Sequence, residues 1–260
     1  MTTVLWILAA VTSAIAMMAA TRFAVGHAVA VAEKLRLPPF LVGVTLVALG
    51  TDTPEIVNSV VSSYLGHGDI NVGDSIGSVF TQGALVLGLV PFIVSSAVRV
   101  KRREVLMFSA LTIVALGVGA FLFHDGGVSR VDAAVLLSVW AIATVVAWRY
   151  GPATPPTAGT PAPRGALLHA VLALLGLAAV GGAAAVLVQA IMSISAGLGV
   201  PEYVLSFFGA AVATSLPELA VEFTALRKGH HEIALGDVLG SCLIDASLSV
   251  AVGPLLFPTA

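Results

Sequence analysis

Apolar runs long enough to cross a lipid bilayer recur along the whole chain, and they limit its fold more than any other feature. Of the 260 residues, 58% are hydrophobic and only 10% are charged, and the mean hydropathy is +1.03. A soluble domain of this size needs more charge on its surface, whereas a spanning helix needs about 20 predominantly apolar residues. We therefore predict an all-α polytopic membrane protein with about eight transmembrane helices. The predicted spans are 4–32, 38–64, 70–96, 104–123, 131–149, 166–197, 201–226 and 233–255.

A proline-rich stretch, "GPATPPTAGTPAPR" (151–164), divides the chain. Proline lacks a backbone N–H and its ring clashes with the preceding helical turn, so this stretch cannot be helix. We predict three parts: a first membrane half at 1–150, a flexible linker at 151–165, and a second membrane half at 166–260.

Basic residues are strongly biased to one side of the predicted bundle. Ten of them follow the first, third, fifth and seventh spans, and only Arg130 lies on the opposite side. Cytoplasmic loops carry the excess of Lys and Arg in membrane proteins. We expect a cytoplasmic linker and outward-facing N and C termini.

The chain repeats itself at a constant offset of 163 residues. "ALGTDTPE" (48–55) aligns with "AVATSLPE" (211–218), and "GDSIGS" (73–78) aligns with "GDVLGS" (236–241), without a gap. The first repeat spans 38–96 and the second 201–255. The second predicted span runs from inside to outside and the seventh runs from outside to inside, so the repeats are inverted. Many secondary transporters are built this way, with a site near the midplane where the repeats meet.

A proline lies in the first helix of each repeat. Pro54 removes the helical partner of the Gly50 carbonyl, and Pro217 does the same for Ala213. Interrupted backbone at membrane depth is tolerated only where it is buried in protein or lines a cavity. The two prolines therefore predict a cavity or a buried site at this depth.

Oxygen-bearing side chains surround these prolines at helical spacing. Residues three or four apart lie on one face of a helix, and the repeats present four such faces. The faces carry Thr51, Asp52 and Glu55; Ser78 and Gln82; Thr214, Ser215 and Glu218; and Ser241 and Asp245. An ionised residue at mid-membrane costs roughly 2.5–3.5 kcal/mol, and no Lys or Arg lies at comparable depth in these spans. We predict bound cations or protons; ligands that are all oxygen favour Ca²⁺ or Na⁺.

Three other carboxylates allow simpler interpretations. Asp74 and Asp237 follow glycine near the predicted start of a span, where an N-terminal helix cap would explain them. Glu222 lies one turn beyond Glu218 and would be protonated or near the membrane boundary.

The motifs "GTDTPE…GDSIGS" and "ATSLPE…GDVLGS" resemble the paired alpha-repeats of the sodium/calcium exchanger family, within the calcium/cation antiporter superfamily. The resemblance covers about 1–96 and 166–255. It implies Ca²⁺ between Glu55 and Glu218, helped by the Ala48 and Ala211 carbonyls and the Thr51 and Thr214 hydroxyls. It also implies Na⁺ sites at Ser78, Ser215, Ser241 and Asp245, sliding of the first and sixth spans, and location in a prokaryotic plasma membrane.

The sequence departs from this family pattern in three ways. Asp52 replaces a usual serine and Gln82 replaces Asn or Asp, which leaves the coupling ion open between Na⁺ and H⁺. "ATS" replaces "GTS" in the second repeat. Relatives in the family have two further spans after the second repeat; we expect either a naturally short chain or a homo-oligomer in which a second copy supplies that surface.

The leading hypothesis is a secondary antiporter exchanging Ca²⁺ for Na⁺ or H⁺ by alternating access. One alternative is a membrane protein that binds a cation for sensing without transport, and another is an antiporter for Mn²⁺, Mg²⁺ or K⁺. We predict no enzyme activity, because no nucleophile–base pair, phosphate loop or His/Cys cluster is apparent. We expect no cofactor and no nucleic-acid partner, only the bilayer and the cations.

Replacing either repeat glutamate should abolish divalent transport. Glu55→Gln and Glu218→Gln each remove a charge that the resemblance assigns to the cation, while Asp74→Asn at a cap should largely preserve transport. Radiotracer Ca²⁺ flux into liposomes measures all three. Normal flux in both glutamine variants would show that the site lies elsewhere.

Overall fold

The computed structural model describes residues 3–32, 48–93, 102–150, 166–227 and 231–259. Within these ranges the chain forms helices and one isolated bridge between Val128 and Thr259, without a β-strand. The α-helices are α1 (Thr3–Ala32), α2 (Ala48–Thr51), α3 (Thr53–Tyr64), α4 (Gly68–Phe80), α5 (Leu87–Ile93), α6 (Arg102–Leu122), α7 (Arg130–Tyr150), α8 (Ala166–Leu198), α9 (Glu202–Leu205), α10 (Ala211–Thr214), α11 (Leu216–Arg227), α12 (His231–Ile244) and α13 (Val250–Leu256). Three π-helical turns lie at Thr81–Val86, Ser206–Ala210 and Asp245–Ser249.

Seven segments of the described chain are long and apolar enough to cross a membrane. They are Thr3–Ala24, Gly68–Leu89, Arg102–Asp125, Arg130–Arg149, Leu174–Leu198, Glu202–Arg227 and Ala234–Leu256. The predicted all-α polytopic membrane fold is confirmed. The remaining predicted span, 38–64, lies partly outside the described residues, and its described part is α2 followed by α3. The predicted linker at 151–165 lies wholly outside them.

The first helix of the first repeat is interrupted where the sequence predicts it. α2 ends at Thr51 and α3 begins at Thr53, with Asp52 between them and Pro54 in the first turn of α3. The break makes a new helix N-terminus inside the bundle, with Glu55 in its first turn. The positive end of a helix dipole stabilises a carboxylate there by about 0.3–1 kcal/mol.

The second repeat breaks at the equivalent residue. α10 ends at Thr214 and α11 begins at Leu216, with Ser215 between them. Glu218 occupies the first turn of α11. The two glutamates therefore start two inverted half-helices, which is the arrangement that the internal repeat predicts.

The second helix of each repeat carries a π-helical turn that the sequence did not predict. The turns Thr81–Val86 and Asp245–Ser249 occupy equivalent positions, because Gln82 and Asp245 are 163 residues apart. A π turn inserts an extra residue into a helical turn and is frequent at functional sites. In each repeat it lies one turn after the serine of the GDxxGS motif.

Each repeat packs its second helix on the interrupted helix of the other. α4 lies against α9, the π turn Ser206–Ala210 and α10, while α12 lies against α2. The approach of α4 is close: a Cβ added to Gly77 would collide with the Phe207 carbonyl and meet the Ala211 Cβ at 2.7 Å. The glycines of the first motif therefore bring the two repeats together.

The two longest helices, α1 and α8, run alongside each other and form the most extensive helix pair. A Cβ on Gly176 would lie 2.7 Å from the Ala24 Cβ, so small residues set their separation. The pair also contacts α2, α3, α10 and α11, and so lies across the interrupted helices. On the other side, α6 and α7 pack against α12, the π turn Asp245–Ser249 and α13.

Gly77→Ala should destabilise the protein although alanine favours helix. The added methyl has no room against the Phe207 carbonyl, and overpacking costs about 1–3 kcal/mol. Thermal unfolding in detergent, followed by circular dichroism, should show a lower Tm than the unmodified protein. Gly88→Ala in α5 is the control, since a Cβ there meets nothing within 4 Å; equal Tm values for the two variants would contradict the packing argument.

Candidate cation-binding site

Seven carboxylates lie in the interior of the described bundle, each at most 1% exposed. They are Asp52, Glu55, Asp74, Glu218, Glu222, Asp237 and Asp245. No Lys, Arg or His is buried among the described residues, and the described arginines are all exposed. Within this part of the chain, the negative charge of the cluster has no buried cationic side chain to balance it.

Glu55 joins the two repeats through one of its oxygens. Its Oε1 accepts from the Ser78 hydroxyl of α4 and from the Ser215 hydroxyl at the break of the second repeat, both at 3.4 Å. The same hydroxyls are 3.2 Å apart. Its Oε2 is buried and has no hydrogen-bond partner among the described residues. The structure thus brings Glu55, Ser78 and Ser215 together, as the repeat predicts.

Glu218 is the less satisfied member of the glutamate pair. Neither of its oxygens has a hydrogen-bond partner within the described ranges. Glu55, Asp52 and Asp237 all lie within electrostatic range of it. Asp52 is likewise without a partner on both oxygens, with Ser241 beside it. These are the oxygens most available to a cation.

Gln82 and Asp245 meet across the two π turns. The Gln82 Nε2 donates to the Asp245 Oδ2 at 3.4 Å, and the other oxygen of Asp245 has no partner among the described residues. Because both side chains belong to equivalent turns, the inverted symmetry places them opposite each other.

The threonines and alanines named for the site make internal hydrogen bonds in this conformation. Thr51 and Thr214 donate to the Ala48 carbonyl at 3.2 Å and the Ala211 carbonyl at 3.2 Å. The same carbonyls accept the backbone N–H groups of Asp52 at 2.9 Å and of residue 215 at 3.1 Å. Each carbonyl would contact a cation through its remaining acceptor capacity or after a local rearrangement.

The prediction that Asp74 and Asp237 cap helices is wrong. α4 begins at Gly68 and α12 at His231, so both aspartates lie well inside their helices. The Thr214 hydroxyl donates to Asp74 at 3.0 Å, and the Thr51 hydroxyl lies 3.4 Å from Asp237. Each aspartate instead holds the threonine of the opposite repeat.

Asn58 is a site residue that the sequence reasoning missed. Its Nδ2 donates to the second oxygen of Asp74 at 2.6 Å. The signal was present, because Asn58 lies three residues after Glu55 on the same helix face. Glu222, which the sequence predicted to be protonated or near the membrane boundary, is buried within α11 with 1% of its surface exposed.

No three Asp, Glu, His or Cys side chains of the described chain are arranged to hold one metal ion between them. A hard cation between Glu55 and Glu218 would complete its shell with hydroxyl, amide and carbonyl oxygens, and Ca²⁺ takes six to eight such ligands.

The family model described as "Sodium/calcium exchanger protein" matches residues 5–149 and 168–258. The chain belongs to this family. It is an integral membrane protein of a transporter family and not of a family of enzymes. It is 30% identical over 251 residues to "Putative antiporter CaxA" of Alkalimonas amylolytica, covering 92% of this chain and 76% of that protein.

Two solved structures share the architecture. The sodium-calcium exchanger NCX_Mj, soaked with 10 mM Na⁺ and zero Ca²⁺, aligns at a TM-score of 0.63 and 27% identity, covering 99% of this chain and 85% of that one. The H⁺/Ca²⁺ exchanger CAX aligns at a TM-score of 0.76 and 17% identity, covering 95% and 66%. At that identity the second likeness concerns the fold alone.

Asp74→Ala should destabilise the protein. It leaves the buried Asn58 amide without its acceptor, which costs about 1–3 kcal/mol, while the Thr214 hydroxyl keeps the Ala210 carbonyl at 3.0 Å as an acceptor. Thermal unfolding in detergent measures the loss. Asp69→Ala, at an exposed residue in the first turn of α4, is the matched control; an equal Tm in the two variants would argue against the Asp74 network.

Proposed function

We propose that the protein is a secondary antiporter that exchanges Ca²⁺ for Na⁺ or H⁺ at a midplane site between Glu55 and Glu218. The transported cation would bind where the two interrupted helices meet. The hydroxyls of Ser78, Ser215 and Ser241 and the Gln82–Asp245 pair would supply the flanking positions.

The observation that carries this proposal is the uncompensated negative charge. Seven ionised carboxylates at membrane depth would cost on the order of 20 kcal/mol if nothing balanced them. A typical folded domain is stable by only roughly 5–15 kcal/mol. Because no buried cationic side chain lies among the described residues, the balance must come from cations or protons that enter from solution. Alternate binding and release of such ions at the two faces of the membrane would be exchange.

Competition for the same carboxylates would couple the two fluxes. Ca²⁺ between Glu55 and Glu218 neutralises two charges, and Na⁺ or H⁺ would replace it there in the opposite phase of the cycle. Since both loads need the same oxygens, only one is carried at a time. The extra charge of Asp52, where the second repeat has Ser215, would require a further Na⁺ or H⁺ beside Ca²⁺.

The pair α1 and α8 would provide alternating access. These helices lie across the interrupted helices, and a cavity of about 370 Å³ lies between them and α9, the π turn Ser206–Ala210 and α10. The side chains that line it are apolar, including those of Ile7, Leu187 and Val212. Apolar contacts carry no directional hydrogen bonds, so the pair could shift along the core at low cost.

We also propose the topology that the basic residues favour. The N and C termini would face outward, the two membrane halves would be joined by the linker at 151–165 on the cytoplasmic side, and the membrane would be a prokaryotic plasma membrane. Exposed Arg102, Arg103 and Arg227 lie at the ends of their helices, as residues at a cytoplasmic interface would.

Reconstituted protein should take up radiolabelled Ca²⁺ when an outward Na⁺ or H⁺ gradient is imposed. Liposomes with each gradient, and liposomes with neither, separate the two coupling ions. Uptake driven by Na⁺ would assign sodium coupling, and uptake driven only by H⁺ would assign proton coupling to a chain that carries Asp52 and Gln82.

The controls are Glu55→Gln and Glu218→Gln, which should reduce uptake to background under both gradients. Ca²⁺ binding in detergent is measured in parallel. Binding without uptake under any gradient would contradict antiport and favour a cation-binding protein that does not transport.

A further inference from the structure

Glu222 is a buried carboxylate without a counterpart in the first repeat. It lies one helical turn beyond Glu218 on α11, and α11 ends five residues later at Arg227. The equivalent residue of the first repeat, 163 positions earlier, is Ser59. One half of the bundle therefore has a carboxylate between the central site and the membrane surface, and the other half has a hydroxyl.

The Ser59 position is closed by backbone packing. The Gly253 N–H donates to the Ser59 Oγ at 3.0 Å. A Cβ on Gly253 would collide with the Ser59 carbonyl and with the Ser63 hydroxyl. α13 thus lies directly on α3, and no room is left for a cation beside Ser59.

The Glu222 carboxylate is buried but not satisfied. Neither of its oxygens has a hydrogen-bond partner in the part of the chain that the structure describes. An apolar crevice between α11 and α5 borders the stem of the side chain, with Leu89 and Phe223 beside it. Ionisable side chains inside membrane segments are rare and usually mark ion pathways, so an unpaired one here indicates a functional role.

A second unpaired oxygen lies nearby. Asp237 is within electrostatic range of Glu222, and its Oδ2 has no partner among the described residues. In the first repeat the equivalent oxygen of Asp74 is satisfied by Asn58 at 2.6 Å. The residue equivalent to Asn58 is Val221, which offers no hydrogen bond. Among the described residues, the unpaired carboxylate oxygens therefore continue from the centre toward the Arg227 end of the bundle.

We propose that Glu222, with Asp237, forms a relay site through which the transported cation passes between Glu218 and the basic end of the bundle. The inference rests on the proposed antiport. Glu218 and Glu222 are four residues apart, about 6 Å along the helix axis, and Arg227 is about 7.5 Å further. A dehydrating Ca²⁺ or Na⁺ would thus exchange water for carboxylate oxygens in two short steps. The opposite end, with Ser59 in that place, has no equivalent step.

The relay predicts a one-sided kinetic defect. Glu222→Gln removes the charge but keeps the shape, and should raise the apparent KM for Ca²⁺ offered at the basic face by about tenfold, which is the effect of losing ~1.4 kcal/mol. The apparent KM at the opposite face should stay unchanged. Everted and right-side-out vesicles present the two faces separately.

The matched control is Asp125→Asn, at an exposed carboxylate beyond the opposite end of α6. It should leave both KM values unchanged. An equal rise on both faces for Glu222→Gln would place Glu222 in the central site or in the scaffold, and no rise on either face would show a packing residue. Absence of Ca²⁺ transport in the unmodified protein would instead refute the proposed antiport, so the two failures are distinguishable.

Cysteine accessibility tests the route without relying on transport rate. Glu222→Cys should react with a membrane-impermeant cationic methanethiosulfonate from the basic face only, and Ca²⁺ should slow the reaction. Ser59→Cys, the symmetry-equivalent change, should be unreactive from both faces. The native Cys242 is buried and gives the background. Equal reactivity of the two introduced cysteines, or labelling of Glu222→Cys from the opposite face, would overturn the relay.

Discussion

The buried carboxylates have no buried cationic side chain beside them in the described chain, and the other features of the structure depend on this imbalance. Carboxylates such as Glu55 and Glu218 sit in a low-dielectric bundle, where an ionised group is stable only beside a cation, a proton or several hydrogen-bond donors. The protein supplies some donors, including the hydroxyls of Ser78 and Ser215 on Glu55. It leaves many carboxylate oxygens without any partner in the described chain. The remaining stabilisation must come from protons or cations taken from solution, and the proposed antiport would link the stability of the fold to these ions.

The irregular backbone follows from the same constraint. An unbroken helix directs its carbonyls and N–H groups to itself and offers nothing to an ion. The breaks at Asp52 and Ser215 start new half-helices whose positive ends face Glu55 and Glu218. The π turns place Gln82 against Asp245 across the repeat interface. The two breaks and most of the turn Asp245–Ser249 are buried in protein, where irregular backbone is tolerated at membrane depth. The turn Thr81–Val86 is buried only on the side that carries Gln82, while Gly83 and Leu85 are exposed.

The two repeats differ at a few buried positions, and these differences give their carboxylates different surroundings. Where the first repeat has Asp52, the second has Ser215, and where the first has Asn58, the second has Val221. The second of these differences leaves Asp74 hydrogen-bonded and Asp237 with an unpaired oxygen in the described chain. Inverted repeats that were identical would present the same environment to both faces of the membrane. Ion gradients alone can set the direction of net transport between identical repeats. Unequal access of ions from the two faces requires repeats that differ.

The sequence alone determined the membrane fold, the inverted duplication and the two interrupted helices, because hydropathy and proline act locally and carry over directly to structure. Through the repeat it also predicted a site at Glu55, Glu218 and their flanking hydroxyls, and the structure places Ser78 and Ser215 against Glu55. It failed at Asp74 and Asp237, since a glycine followed by aspartate near an apolar run looks like a helix start until the true start is known. Only the tertiary structure decided which carboxylates have partners. Several of those partners are distant in sequence; Thr214, for example, is 140 residues from Asp74. No local pattern encodes how closely Gly77 brings the two repeats together.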